Sequence, residues 1–165
     1  MFSNELAKKL INLPKEIDGG FTTINLNDQK TRIYLKNRDE PEYYFLWEVS
    51  SNKKISFKVS LHTQEDNTKE GLVRIDYKGG HKNPETVTYA IPDILKPYIG
   101  YWFSNEPHIH IYVEGYKDLA WAAPLSVYNF PILDINSYDD FADALSSFSK
   151  EINITSRFNV QKPLI

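Results

Sequence analysis

No cysteine occurs in the 165 residues. That excludes a disulfide framework, a cysteine-ligated zinc and a thiol nucleophile. A dominant charge sign is also lacking: 19 Lys and Arg stand against 22 Asp and Glu, for a net charge of -3. Attachment to nucleic acid by overall charge is therefore not expected, because counterion release needs clustered cations. A local basic patch stays open. No apolar run approaches the roughly 20 residues that span a bilayer. The richest stretches, Tyr43–Trp47 and Pro97–Phe103, are short and broken by charge or proline. The opening MFSNELAKKL has no apolar core of signal-peptide length, so the expectation is a soluble, cytoplasmic protein with no membrane partner. A Walker loop, a dinucleotide fingerprint, a nucleophile elbow and H-E-x-x-H are all missing. What is present is apolar mass: 41% hydrophobic residues, with 11 Tyr, 9 Phe and 3 Trp. This suffices for a core and excludes intrinsic disorder. The length fits one domain, 1–165.

Hydrophobic periodicity assigns the elements. Ser3 caps a helix running to Leu13, with Leu6, Leu10 and Leu13 on one face and Pro14 as its stop. Phe21–Leu26 and Thr31–Lys36 read as a strand pair joined at Asn27-Asp28. Tyr43–Val49 and Ile55–Leu61 read as a hairpin around Ser50–Lys53. In the latter strand Ile55, Phe57, Val59 and Leu61 alternate with Ser56, Lys58 and Ser60, so one face is buried. Leu72–Lys78 alternates likewise and ends at Gly79-Gly80-His81. Residues 85–106, rich in proline and apolar side chains, read as an ordered insertion with a short helix near Ile91–Leu95. The strand Pro107–Gly115 and a returning strand at Leu119–Leu125 follow. Ser137 then caps a second helix, with Phe141, Leu145, Phe148 and Ile152 at helical spacing. The fold class is α+β: an antiparallel sheet of about five to seven strands, with N- and C-terminal helices packed on one face.

The strand His108–Glu114 concentrates chemistry. Alternation places His108, His110, Tyr112 and Glu114 on one face, opposite Ile109, Ile111 and Val113. The Leu72–Lys78 strand repeats the pattern with Arg74, Asp76 and Lys78. If the two strands are neighbours, their polar faces meet, and His81 arches over them. His62 ends a different strand and is set aside. Three chemistries use such a set. A histidine pair can act as general acid and base in RNA cleavage, with Arg74 on the phosphate. Alternatively, His81, His108, His110 and Asp76 can hold a divalent metal such as zinc, manganese or iron. In the third case the groups only recognise a ligand. H-x-H on a strand is also common as plain surface, and Asp76 can simply pair with Arg74. The aromatic cluster Tyr98, Tyr101, Trp102 and Phe103 can grip a partner or pack the insertion onto the sheet; Trp121 beside alanines reads as core.

Taken in order, Arg74-Ile-Asp76, Gly80-His81-Lys-Asn83-Pro84, Pro107-His108-Ile-His110-Ile-Tyr112-Val-Glu114-Gly115-Tyr116 and Trp121-Ala122 resemble a bacterial family of unknown function. Its members run R-x-D, G-x-H-x-N-P, P-H-x-H-x-Y-x-E-G-Y and W-A. The likeness spans about Leu72 to Ile154. Residues 85–106 are longer than that pattern expects. More distantly, the layout is similar to TumE-type toxin components of bacterial toxin–antitoxin systems. That resemblance implies a growth-inhibiting, RNA-directed activity and a cognate antitoxin.

The leading expectation is thus a toxin-like or phage-defence effector of a mobile element, acting as a metal-independent ribonuclease with no cofactor. In it His108 and His110 form the acid/base pair, Arg74 binds phosphate, and Asp76, Tyr112 and His81 support them. The alternative is a non-enzymatic inhibitor, phage- or plasmid-borne, that binds a host protein or nucleoprotein complex through the Tyr98–Phe103 cluster. The third is a metal-dependent hydrolase.

Overall fold

The computed structural model describes residues 1–164. In chain order the elements are α1 (Asn4–Asn12), β1 (Glu16–Ile17), β2 (Thr23–Asn25), β3 (Lys30–Lys36), β4 (Tyr44–Ser51), β5 (Val59–Glu65) and β6 (Glu70–Tyr77). They continue with β7 (His81–Lys82), a 3-10 turn (Asp93–Tyr98), β8 (Trp102–Phe103), β9 (His108–Ile111) and β10 (Trp121–Pro124). The chain closes with α2 (Leu125–Tyr128), α3 (Tyr138–Glu151) and β11 (Asn159–Gln161). The main sheet has seven strands in the order β1-β3-β4-β5-β6-β9-β10, all antiparallel. Among the described residues no helix is long and apolar enough to cross a membrane.

The α+β architecture follows from one apolar sheet face needing cover. Ile33, Leu35, Phe45, Trp47, Val49, Leu61 and Ile75 form that face, and α1 and α3 bury it through Ala7, Leu10, Phe141, Leu145 and Phe148. Trp47 stacks on Phe148 at 6.0 Å between ring centroids, and each such fully buried side chain is worth about 1.5–3 kcal/mol. Ser3 Oγ accepts from the Leu6 N–H, and Ser137 Oγ accepts from the Asp140 N–H, which satisfies a free donor at each helix start. Lys15 joins the two helix ends. Its fully buried ammonium donates to the carbonyls of Ile11, Leu13 and Ile152 at 2.8–2.9 Å. Burial pushes its pKa down to about 7.

Three sequence expectations are corrected here. The 21–26 strand does not pair with β3; Thr23–Asn25 lies parallel to Asn159–Gln161 instead. Extended pairing recruited the C-terminal tail, whose strand character was only faintly marked. The hairpin between β4 and β5 turns later than Ser50–Lys53, and β5 begins at Val59, not Ile55. Ile55 and Phe57 belong to the loop, so their apolar alternation with Ser56 is coincidental. Finally, β9 ends at Ile111 and not at Gly115, because β6 supplies partners only as far as Val73↔Ile111.

Candidate metal and anion site

Register sets the site. Across adjacent strands, Asp76 pairs with His108 and Arg74 with His110, so the two polar strands are neighbours. The same register extends sideways. One row reads Lys30, Ser50, Ser60, Asp76, His108; the next reads Arg32, Glu48, His62, Arg74, His110. Residues paired directly across strands project to the same face, so the face opposite the helices carries two polar rows. His62, set aside in the sequence reading, lies in the second of them. The alternation that placed Ser56, Lys58 and Ser60 together already assigns His62 to their face.

The polar rows are not uniformly open. The β7–β8 ribbon folds over their β9 end, pairing His81 with Phe103 and Lys82 with Trp102. The Phe103 ring sits 4.8 Å from that of His108, and the His81 ring 4.5 Å from that of His110. Both strand histidines are consequently 0% exposed. Asn83 bolts the ribbon down. It is buried, its side-chain oxygen accepts from the Ala122 N–H and faces His81 Nε2, and its amide donates to the Tyr98 and Ala122 carbonyls. The sequence marked Asn83-Pro84 only as a loop, and nothing local announces this clamp.

Proton positions follow from the partners. His108 Nδ1 lies 2.7 Å from the Glu106 carbonyl and His110 Nδ1 lies 2.7 Å from the Leu119 carbonyl. A carbonyl only accepts, so each Nδ1 carries the hydrogen, and in the neutral ring each Nε2 keeps a lone pair. Those lone pairs point at Asp76. His110 Nε2 is 3.1 Å and His108 Nε2 3.6 Å from Asp76 Oδ2. His108 Nε2 has no hydrogen-bond partner and is buried. Arg74 closes the set: its Nε donates to Asp76 Oδ2 at 3.1 Å, and its Nη2 lies 2.9 Å from His110 Nε2, which accepts.

Burial drives the His110 pKa down to about 4; the hydrogen bond that only the protonated ring could donate to Asp76 opposes this, and the charge of Arg74 adds to it. For Asp76, burial would raise the pKa, but contact with His110, the Arg74 charge and the Ser60 hydroxyl outweigh it. The carboxyl is held well below its usual range. Burial likewise lowers His81 and His62.

One ligand atom each from Asp76, His108 and His110 lies within 4.8 Å of the others. Two imidazoles and a carboxylate suit zinc, manganese or iron. Donation of each Nδ1–H to a backbone carbonyl is the outer contact that orients metal-binding imidazoles. His81 is near but differently engaged: its Nε2 faces the Ala120 carbonyl at 2.9 Å and Asn83 Oδ1 at 3.1 Å, so it donates there. It is outside the convergent set. Tyr112 also stands apart, past the end of β9. Its hydroxyl accepts from the Phe2 N–H and donates to the Phe2 carbonyl, which ties down the N-terminus. The aromatic cluster divides: Phe103 is buried against the histidines and Tyr98 is half-buried, while Tyr101 and Trp102 face outward. Trp121 is fully buried, as its alanine neighbours suggested.

The profile of a family of unknown function, DUF6978, matches residues 2–154, so the chain belongs to that family. The match covers the N-terminal strands as well as the motif-bearing half. No curated protein and no solved structure matches the chain.

Proposed function

We propose that this member of the DUF6978 family is a divalent-metal-dependent hydrolase of an anionic ester, with Asp76, His108 and His110 as the metal ligands. One observation carries the reading: two buried imidazoles, each with Nδ1–H anchored on a backbone carbonyl, aim their Nε2 lone pairs at one carboxylate, and one of those lone pairs is otherwise unpartnered. A buried acceptor without a donor costs about 1–3 kcal/mol, a cost that a cation would remove. Three protein ligands would leave a coordination position for water, and a divalent metal held by Asp76, His108 and His110 would supply a nucleophile at neutral pH and polarise the ester. Arg74 stands where negative charge would develop, and its partly exposed side chain can turn from His110 Nε2 to the substrate.

A metal-independent histidine pair is less well supported. It needs one imidazolium near neutrality, whereas His110 is held neutral down to about pH 4. In biological terms, a growth-inhibiting effector of a mobile element, neutralised by a cognate antitoxin, is compatible with such chemistry. The test is isothermal titration of metal-stripped protein with Zn²⁺ and Mn²⁺. One ion per chain is expected, lost in Asp76→Asn and in His110→Ala of unchanged circular dichroism. Equal uptake by wild type and both variants would remove the assignment. Growth arrest on induction of the wild type, absent for the His108→Ala/His110→Ala pair, would support the effector role.

A further inference from the structure

Beside Asp76 the polar face opens into a groove of about 530 Å³. Lys30, Lys58 and Lys78 line it together with Ser50, Ser60 and Asp76, and Gly79-Gly80 forms part of its rim. Three ammonium groups stand against one carboxylate, in a protein whose net charge is negative. The cations are thus gathered locally, the distribution that a charge total conceals. Lys58 has no ion pair among the described residues, Lys78 Nζ donates only to the Ser56 carbonyl, and Lys30 has a loose contact of 3.5 Å with Glu48. All three retain donors for an anion.

The glycine rim has a second occupant. A Cβ on Gly80 would stand 3.6 Å from the outer edge of the Trp102 indole, so the ring lies alongside this bare backbone. Trp102 is 59% exposed, the most solvent-accessible of the tryptophans, while Trp47 and Trp121 are fully buried. This exposure leaves one face of the ring free beside the cationic groove. The β7–β8 pairing that buries Phe103 turns Trp102 outward, since neighbouring strand residues face opposite ways.

We infer that the groove binds a single-stranded polynucleotide, with Lys30, Lys58 and Lys78 on successive phosphates and a base stacked on Trp102. A cationic track beside an aromatic platform is how unpaired strands are held. Row geometry supports a strand laid across the sheet: Lys30, Ser50, Ser60 and Asp76 lie on four adjacent strands, about 4.8 Å apart. They lead directly to the Asp76 and His108 end. A duplex offers no free base face to Trp102. The groove names the substrate class for the hydrolase proposed above and rests on that reading only for what happens after binding.

The test uses a short fluorescein-labelled single-stranded RNA of mixed sequence, the DNA of the same sequence, and the annealed RNA duplex. Anisotropy at low and rising salt is read with tryptophan emission, in which contact quenching by a bound strand reports on Trp102 because the other two indoles, though they emit, are buried out of its reach. Single strands are expected to bind and quench that emission. The logarithm of the association constant should fall with the logarithm of salt concentration at a slope of roughly -2, from about -0.7 per contacted phosphate. Lys58→Ala/Lys78→Ala should flatten the slope by about 1.4, two contacts' worth, and weaken binding. Trp102→Ala should weaken binding about tenfold and abolish the quench. RNA bound more tightly than DNA would identify ribose recognition; equal binding would identify the backbone and bases. Absence of binding at low salt, equal affinity for duplex, or unchanged affinity in both variants overturns the inference. Metal uptake is measured separately with Asp76→Asn. Single-strand binding without metal uptake would refute the hydrolase and leave the groove intact, and the converse would do the reverse.

Discussion

Acid should destabilise this fold through His110. In the folded protein burial keeps that imidazole neutral until about pH 4, whereas in the unfolded chain it takes up its proton near pH 6.5. Between those values the unfolded state binds more protons, so stability rises with pH. The contribution is complete above about pH 6.5 and is lost as pH falls to about 4. A pH unit is worth about 1.4 kcal/mol, so the window of about two and a half units amounts to roughly 3 kcal/mol. The ring is fully buried, so solvent screening removes little of it. Asp76 is held low and gives way only below the ordinary carboxylate range, outside this window. His62 and His81 are also lowered by burial and add slopes of the same sign. His110→Gln isolates the one ring. Urea unfolding midpoints measured at intervals from pH 7 to pH 4 should show the variant losing about 3 kcal/mol less than wild type over the range. The His110 ring proton, followed by NMR, should keep its neutral shift to near pH 4. A ring that titrates near pH 6.5, or identical slopes in the two proteins, would refute the reasoning and restore an acid–base role for the histidine pair.

Other outcomes follow from single contacts. Arg74→Gln should raise divalent-metal affinity at least tenfold in calorimetric titration, since the guanidinium 2.9 Å from His110 Nε2 competes for the same lone pair. Lys15→Met should cost about 1–3 kcal/mol for each buried carbonyl left without a donor, read in urea denaturation, because three carbonyls at the ends of α1 and α3 lose their shared donor. Unchanged stability would mean that this ammonium is dispensable. Asn83→Ala should cost about 1–3 kcal/mol per stranded partner and release the β7–β8 ribbon. Limited proteolysis within residues 85–106 should then become faster, with little change in cleavage elsewhere.

The sequence by itself determined the fold class, both capped helices and the shared faces of Arg74 with Asp76 and of His108 with His110. Ser3 and Ser137 are local signals, since a hydroxyl and the turn that follows suffice to cap a helix. The Arg74/Asp76 and His108/His110 alternations are likewise local, because a strand turns every second side chain the same way. The 23–25 strand was misassigned since its partner lies far along the chain at 159–161, and no local pattern specifies a distant parallel partner. Alternation does not carry to Tyr112, because the ladders of β9 to both its neighbours stop at Ile111, opposite Val73 and Trp121. Only tertiary structure decided that Asp76 faces His108 and that His62 falls in register with Arg74 and His110. It also fixed the tautomers through carbonyls at Glu106 and Leu119, and split the aromatic cluster into an inner Phe103 and an outer Trp102. The reason is physical: periodicity gives each element its faces, but burial, register and hydrogen-bond partners arise only where separate elements meet. The chemistry of this site resides in those meetings.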